Sequence, residues 1–223
     1  MSKAPQTVRT FIDGHVGRLE SIIATPVRRE INGGAVICHP HPQHGGTMHN
    51  KVTHTLARAF VARGLVTLRF NFRGVGASEG QYDNGIGETD DVLAALAWMR
   101  GHAPHGPVWL AGFSFGAAIA LQAAVAEEVS GLVSVAPGVS QFGNVLHGQP
   151  RCPWLVVQGD KDEYVALDGT INWLNTLDAG PELLVVPDAA HFFHGKLTML
   201  REAVQSFVEG NTHTQDRGGD SRA

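Results

Sequence analysis

Gly112-Phe113-Ser114-Phe115-Gly116 places a serine between two glycines, after an apolar run at 108–111 and ahead of an alanine-rich stretch that opens at Gly116. A strand that ends in a sharp turn, with a helix directly behind it, holds one hydroxyl in a strained position at the strand end. Glycines suit the flanking positions because side chains there would clash where strand and helix approach. The helix N-terminus behind such a serine favours developing negative charge. The chemistry this predicts for Ser114 is nucleophilic attack. It requires a base to take the hydroxyl proton and a third group to orient that base.

The pentapeptide alone decides nothing, because Gly76-Ala77-Ser78-Glu79-Gly80 matches the same pattern. The text after it, Gln81-Tyr82-Asp83-Asn84-Gly85-Ile86-Gly87, is polar and glycine-rich with no apolar period for a helix. Ser78 reads as a loop residue. Ser114 has the strand, the turn and the helix.

The elements that must position such a serine are legible along the chain. Residues 8–24 alternate apolar and polar side chains around Asp13-Gly14, the pattern of an antiparallel hairpin. Short, nearly continuous apolar runs follow at 35–38, 65–70, 108–111, 131–135, 154–158 and 183–186, as expected of strands covered on both faces. Helical stretches at 51–63, 89–100, 116–128, 168–177 and 196–208 separate them. Gly64 and Gly101 follow two of these as C-terminal caps, and Asp90 and Asp91 place negative charge in the first turn of the second. This alternation predicts an α/β fold: a mostly parallel, twisted sheet of about 8 strands with an N-terminal antiparallel hairpin and helices on both faces. Residues 1–210 form one domain in this reading, and the polar segment 211–223 a disordered tail.

Composition narrows the function classes. The chain has 223 residues, 43% hydrophobic and 17% charged, which fits a globular domain with a substantial core. A net charge of −4 gives no electrostatic case for nucleic acid. No apolar run approaches a membrane span, and Met1-Ser2-Lys3-Ala4-Pro5-Gln6 lacks the apolar stretch of a signal peptide. The expectation is a cytoplasmic protein, monomer or homodimer, acting on a small molecule without nucleic acid or membrane. Cys38 and Cys152 fall at opposite ends of parallel strands, too far apart for a disulfide, and are expected to be reduced.

Active residues of an open parallel sheet lie beyond the carboxyl ends of its strands. The run 154–158 is followed by Gly159-Asp160-Lys161-Asp162, and the run 183–186 by Pro187-Asp188-Ala189-Ala190-His191-Phe192-Phe193-His194. The order serine, aspartate, histidine over residues 8 to 210 resembles the serine hydrolases of the α/β-hydrolase superfamily, and among them the compact, lid-free bacterial group that includes dienelactone hydrolase-like enzymes and uncharacterised esterases. The Gly-x-x-Asp pattern of that family falls on Asp162 rather than Asp160. Its base, after a small-residue turn and before aromatics, falls on His191 rather than His194. The resemblance implies Ser114 as nucleophile, His191 as general base and then acid, and Asp162 as the group orienting the imidazole.

It also implies an oxyanion hole of backbone N–H groups, one from Phe115 and one from the loop after the run 35–38. Pro40 and Pro42 have no N–H to give. The family's position falls on His41, with Gln43 and His44 as alternatives. Gln43, His44, Phe113 and Phe192 are expected around a substrate pocket; Phe115 and Phe193 could line it as well, although core packing explains these phenylalanines equally. The segment 136–153 is too short for a lid domain, so the site should be open.

Two signals compete with this reading. His39, His41, His44 and His49 could suggest a metal cluster, but two prolines and the lack of carboxylate or thiolate in the loop favour histidines that bond backbone carbonyls or line the entrance. No metal and no cofactor are expected. Gly74 and Gly76 lack the third glycine of a dinucleotide fingerprint, since residue 79 is Glu. Arg73 is expected to anchor that turn by bonding loop carbonyls. The function expected is hydrolysis of carboxylic esters through an acyl-enzyme. Amide cleavage or acyl transfer by the same triad, and a non-catalytic binding protein, are the alternatives.

Overall fold

The computed structural model describes residues 4–27, 31–103, 106–139 and 148–215. Eight strands form one sheet: β1 (Gln6–Gly14), β2 (Gly17–Thr25), β3 (Gly34–Cys38), β4 (Val66–Phe70), β5 (Val108–Phe113), β6 (Gly131–Val135), β7 (Trp154–Gly159) and β8 (Glu182–Val186). Their spatial order is β1-β2-β4-β3-β5-β6-β7-β8. β1 and β2 pair antiparallel, β2 lies antiparallel to β4, and every later pairing is parallel. Gly14 pairs with Gly17, so His15-Val16 make the hairpin turn, one dipeptide beyond the expected Asp13-Gly14.

Alternation of side chains along the central strands builds two cores. Val36 and Cys38 of β3, with Leu110 of β5 and Leu132 of β6, face one side; Ala35 and Ile37, with Trp109 and Val133, face the other. α2 (Ile86–His102), α3 (Phe115–Ala126) and α4 (Leu167–Leu174) cover the first face through Leu96, Ile119 and Trp173. α1 (Lys51–Ala62) and α5 (Leu197–Gln215) cover the second through Phe60 and Val204. Burial on both faces is why these strands read as continuous apolar runs. Among the described residues, no helix is long and apolar enough to cross a membrane.

Helix ends differ from expectation at several places: α3 stops at Ala126 rather than 128 and α4 at Leu174 rather than 177, and larger differences concern α2 and α5. α2 starts at Ile86 rather than residue 89, because the Glu88 carboxylate accepts the N–H groups of Asp83 and Gly85 and caps the earlier turn. It also runs through Gly101 to His102, closed by Ala103 N–H on the Met99 carbonyl, so Gly101 is not its cap. α5 continues through Gln215, which makes 211–215 helical rather than tail; 216–223 lie outside the described residues. Gly64, in contrast, follows the α1 cap Arg63 with φ 89°, the left-handed position expected of it.

Candidate active site

Ser114 sits between β5 and α3 with φ 54° and ψ −118°, a conformation rarely adopted by a residue with a side chain. The turn survives because its neighbours have no Cβ. A methyl on Gly112 would lie 2.2 Å from the Gly116 carbonyl oxygen, and one on Gly116 would lie 2.3 Å from that of His39. Ser114 N–H donates to the Val135 carbonyl at 2.9 Å, tying the turn to the end of β6. Ser78 does something different. Its hydroxyl donates to the Asn71 carbonyl at 2.7 Å and accepts the Glu20 N–H at 2.9 Å, which fastens its loop to β2.

Asp162, in the loop after β7, accepts the Nδ1–H of His191 at 2.8 Å through Oδ2. Its other oxygen accepts the N–H groups of Tyr164 and Val165 at 2.9 and 2.8 Å. Burial alone would raise the Asp162 carboxyl, but the His191 bond and these two amides outweigh it and hold it below the ordinary carboxylate value. Asp160 is exposed. A proton on Nδ1, assigned from this hydrogen bond, leaves Nε2 as the basic nitrogen of a neutral imidazole. His191 itself is buried, with its N–H donating to Glu163 at 3.2 Å, while His194 is exposed.

Gln158 is a further member of the site, not expected from the sequence. This fully buried amide at the end of β7 donates from Nε2 to Asp162 Oδ2 at 3.0 Å and to the Val165 carbonyl at 2.9 Å, and its Oε1 accepts Thr170 Oγ1 at 3.4 Å. It joins strand, acid loop and α4. A glutamine closing an otherwise apolar run was the signal available. Arg73 also behaves differently from expectation: its guanidinium bonds Asp91 rather than loop carbonyls, with Nη2 2.8 Å from Oδ1. Asp91 lies in the second turn of α2 and is fully buried, so it is a core partner rather than a first-turn helix charge.

On the other side of Ser114 is the loop after β3. His39 is fully buried; its Nδ1–H donates to the Pro40 carbonyl at 2.6 Å and its Nε2 accepts Phe72 N–H at 3.0 Å. Both ring nitrogens are thereby spent on backbone, which removes His39 as a metal ligand. Burial brings its pKa down to about 4, opposed by the Pro40 bond and helped by the His41 charge. A short 3₁₀ turn, Pro42–His44, follows. Gln43 N–H donates to His41 Nδ1 at 3.2 Å and His44 N–H to the His41 carbonyl at 3.1 Å. The His41 ring lies 4.9 Å from that of Phe115 and stacks on that of His44 at 4.4 Å; burial, then the His44 charge, lowers its pKa. Among the described residues, no three His, Cys, Asp or Glu side chains are grouped to hold a metal ion. Both cysteines are free, and burial pushes their thiols up, Cys152 to about 11.

The loops enclose a cavity of about 380 Å³ that Ser114, Phe115 and His191 line together. His41, His44 and Asn50 line it from the β3 side, and Tyr164, Val165 and Phe192 from the β7–β8 side. Of the four expected pocket residues, His44 and Phe192 are there. Gln43 is exposed and does not line the cavity, and Phe113 is wholly buried with its ring centroid 4.9 Å from that of His191. Phe193 is also core. Tyr164 and Asn50 were not foreseen as lining residues.

The family model described as X-Pro dipeptidyl-peptidase (S15 family) matches residues 13–149. The chain belongs to the S15 family, one of the α/β-hydrolase fold. This S15-family chain is similar to XC6422 of Xanthomonas campestris, described as an α/β serine hydrolase without lid: 42% identity and TM-score 0.86 over 92% of this chain and 94% of that one. An α/β serine hydrolase homologue from Coxiella burnetii is 47% identical with TM-score 0.84, over 89% of this chain and 96% of that one. The uncharacterized protein RP471 of Rickettsia prowazekii is 32% identical over 222 residues, 91% of this chain and 90% of its own. The S15-family chain is therefore a serine hydrolase of the lid-free α/β type. Residues 136–153 join β6 to β7, and 140–147 among them lie outside the described residues.

Proposed function

We propose that the chain hydrolyses carboxylic esters through an acyl-enzyme, with Ser114 as nucleophile, His191 as general base and acid, and Asp162 as orienting group. The observation that carries this is that His191, which lines the same cavity as the strained Ser114, bonds through Nδ1 at 2.8 Å to an amide-held Asp162 whose side chain is buried. His191 Nε2 takes the Ser114 proton as Oγ bonds to the ester carbon, and returns it to the departing alcohol oxygen. Water, deprotonated by the same nitrogen, then releases the acid. Asp162 stabilises the imidazolium in both half-reactions. Phe115 N–H, at the first position of α3, and His41 N–H are the proposed oxyanion donors.

The family match motivates a second reading, cleavage of peptides by the same triad. An X-Pro substrate brings an N-terminal ammonium, which is best held by a carboxylate. Among the described residues, no Asp, Glu, Lys or Arg lines the cavity, and this favours uncharged substrates. A panel of p-nitrophenyl acetate, p-nitrophenyl butyrate and Ala-Pro-p-nitroanilide separates the readings. Turnover of the esters, with negligible release from the anilide, is expected; the reverse order contradicts the ester reading.

A further inference from the structure

The cavity has two unlike sides, and the chemistry assigns one of them. The sheet order sets β3 on one side of β5 and β7 and β8 on the other, so the loops they carry flank Ser114. The proton that His191 receives must return to the departing oxygen, which therefore lies within about 3 Å of Nε2 in the reacting complex. The leaving group sits beside whatever surrounds His191. Three rings do: Phe113 at 4.9 Å, Tyr164 at 5.1 Å and Phe192 at 5.2 Å between centroids. Phe113 is fully buried, whereas Tyr164 is 63% and Phe192 38% exposed, so these two rings reach solvent at the mouth, that of Phe192 also stacked on His194 at 6.1 Å.

Both are held in place by the catalytic machinery. Tyr164 N–H is fixed by Asp162, the carboxylate that orients His191. Phe192 follows His191 in the chain and rests edge-on against Phe113 at 5.9 Å. Large apolar rings left open to water beside a reaction centre, and locked to it, are a recognition surface. The β3 side offers imidazoles, glycines and the Asn50 amide instead.

We propose that Tyr164 and Phe192 form a leaving-group subsite that takes an uncharged alcohol bearing a planar ring. The proposal rests on the ester reading above. In the step it serves, the Ser114 Oγ–carbon bond forms, the carbon–alkoxide bond breaks, and the proton from Oγ passes through His191 Nε2 to the alcohol. Ring-on-ring contacts contribute beyond simple burial by an amount worth about 2- to 10-fold per pair.

The test compares kcat/KM for benzyl acetate and cyclohexylmethyl acetate, which match in bulk and closely in leaving-group basicity but differ in having a π face. It uses the full-length chain and the Tyr164→Leu, Phe192→Leu and double variants, with fluorophosphonate labelling of Ser114 measured alongside. The parent protein should favour the benzyl ester by about 10-fold, each single variant should reduce that ratio, and the double variant should bring it near 1. Acetylcholine, whose cationic alcohol could also sit on aromatic faces, should be a poorer substrate than benzyl acetate. A ratio near 1 in the parent, a ratio kept in the double variant, or preference for acetylcholine overturns the subsite while labelling of Ser114 keeps the ester reading. Absence of both labelling and turnover overturns the ester reading, and the subsite with it.

Discussion

His39 makes acid sensitivity a worked consequence of the fold. The neutral ring donates to Pro40 and accepts from Phe72, and a second proton would turn the Phe72 N–H against a cation in a fully buried site. Its pKa is about 4 in the fold against the ordinary 6.5. A depressed folded value means that the unfolded chain binds the proton first. Stability is therefore unaffected above about pH 6.5 and is lost progressively as pH falls from there towards 4. Between pH 7 and pH 5 this one group should remove about 2 kcal/mol. In urea titrations with a slope of about 2–3 kcal/mol/M, that is a midpoint shift of about 0.7–1 M. His39→Gln retains a donor and an acceptor but does not titrate in this range. The variant should start less stable at pH 7 and lose about 2 kcal/mol less than the parent on going to pH 5. The contribution from His54, whose pKa is also lowered mainly by burial, cancels in the difference. Equal pH dependence in the two proteins would refute the reasoning.

Three further outcomes follow from the geometry. Asp91→Asn leaves the Arg73 guanidinium without its buried partner and should cost about 3–5 kcal/mol in chemical denaturation, whereas the Arg73→Met, Asp91→Leu double variant should cost less than the single change. Gly116→Ala drives a methyl to within 2.3 Å of the His39 carbonyl oxygen, so Tm should fall and fluorophosphonate labelling should be lost even in the folded fraction. Gln158→Leu removes a donor to a charged acceptor, for a stability loss of about 1.5–3 kcal/mol, and should lower kcat with KM little changed; equal changes in the two would argue against its hold on Asp162.

What could be read in advance was what local pattern controls. The strand–turn–helix context separated Ser114 from Ser78, and the structure gives the two serines different settings, one strained at a strand end and one bonded to loop and hairpin backbone. The buried strands announced themselves as apolar runs because both of their faces are covered. Side chains whose partners lie far along the chain were not legible. Arg73 and Asp91 are 18 residues apart, and Asp91 looked like an ordinary helix-start charge because the earlier capping by Glu88 was not recognised. Gln158 was counted as strand, since nothing local says that its amide turns toward Asp162. Phe113 and Phe192 flank the same histidine, yet one is core and the other rim, because Phe113 closes the buried strand β5 whereas Phe192 stands in the loop after β8. Gly101 misled for a related reason: fully buried Met99 and the Ala103 N–H bond to its carbonyl carry the helix past a residue that would break it in isolation.

The proposed chemistry requires Ser114 to be an activated nucleophile served by His191. Reaction of the folded protein with a fluorophosphonate, followed by peptide mass spectrometry, tests this directly. The prediction is stoichiometric modification of Ser114, abolished in Ser114→Ala and strongly slowed in His191→Ala, with Ser78 unmodified throughout. An unlabelled Ser114 in well-folded protein, or labelling that is indifferent to His191, would contradict it.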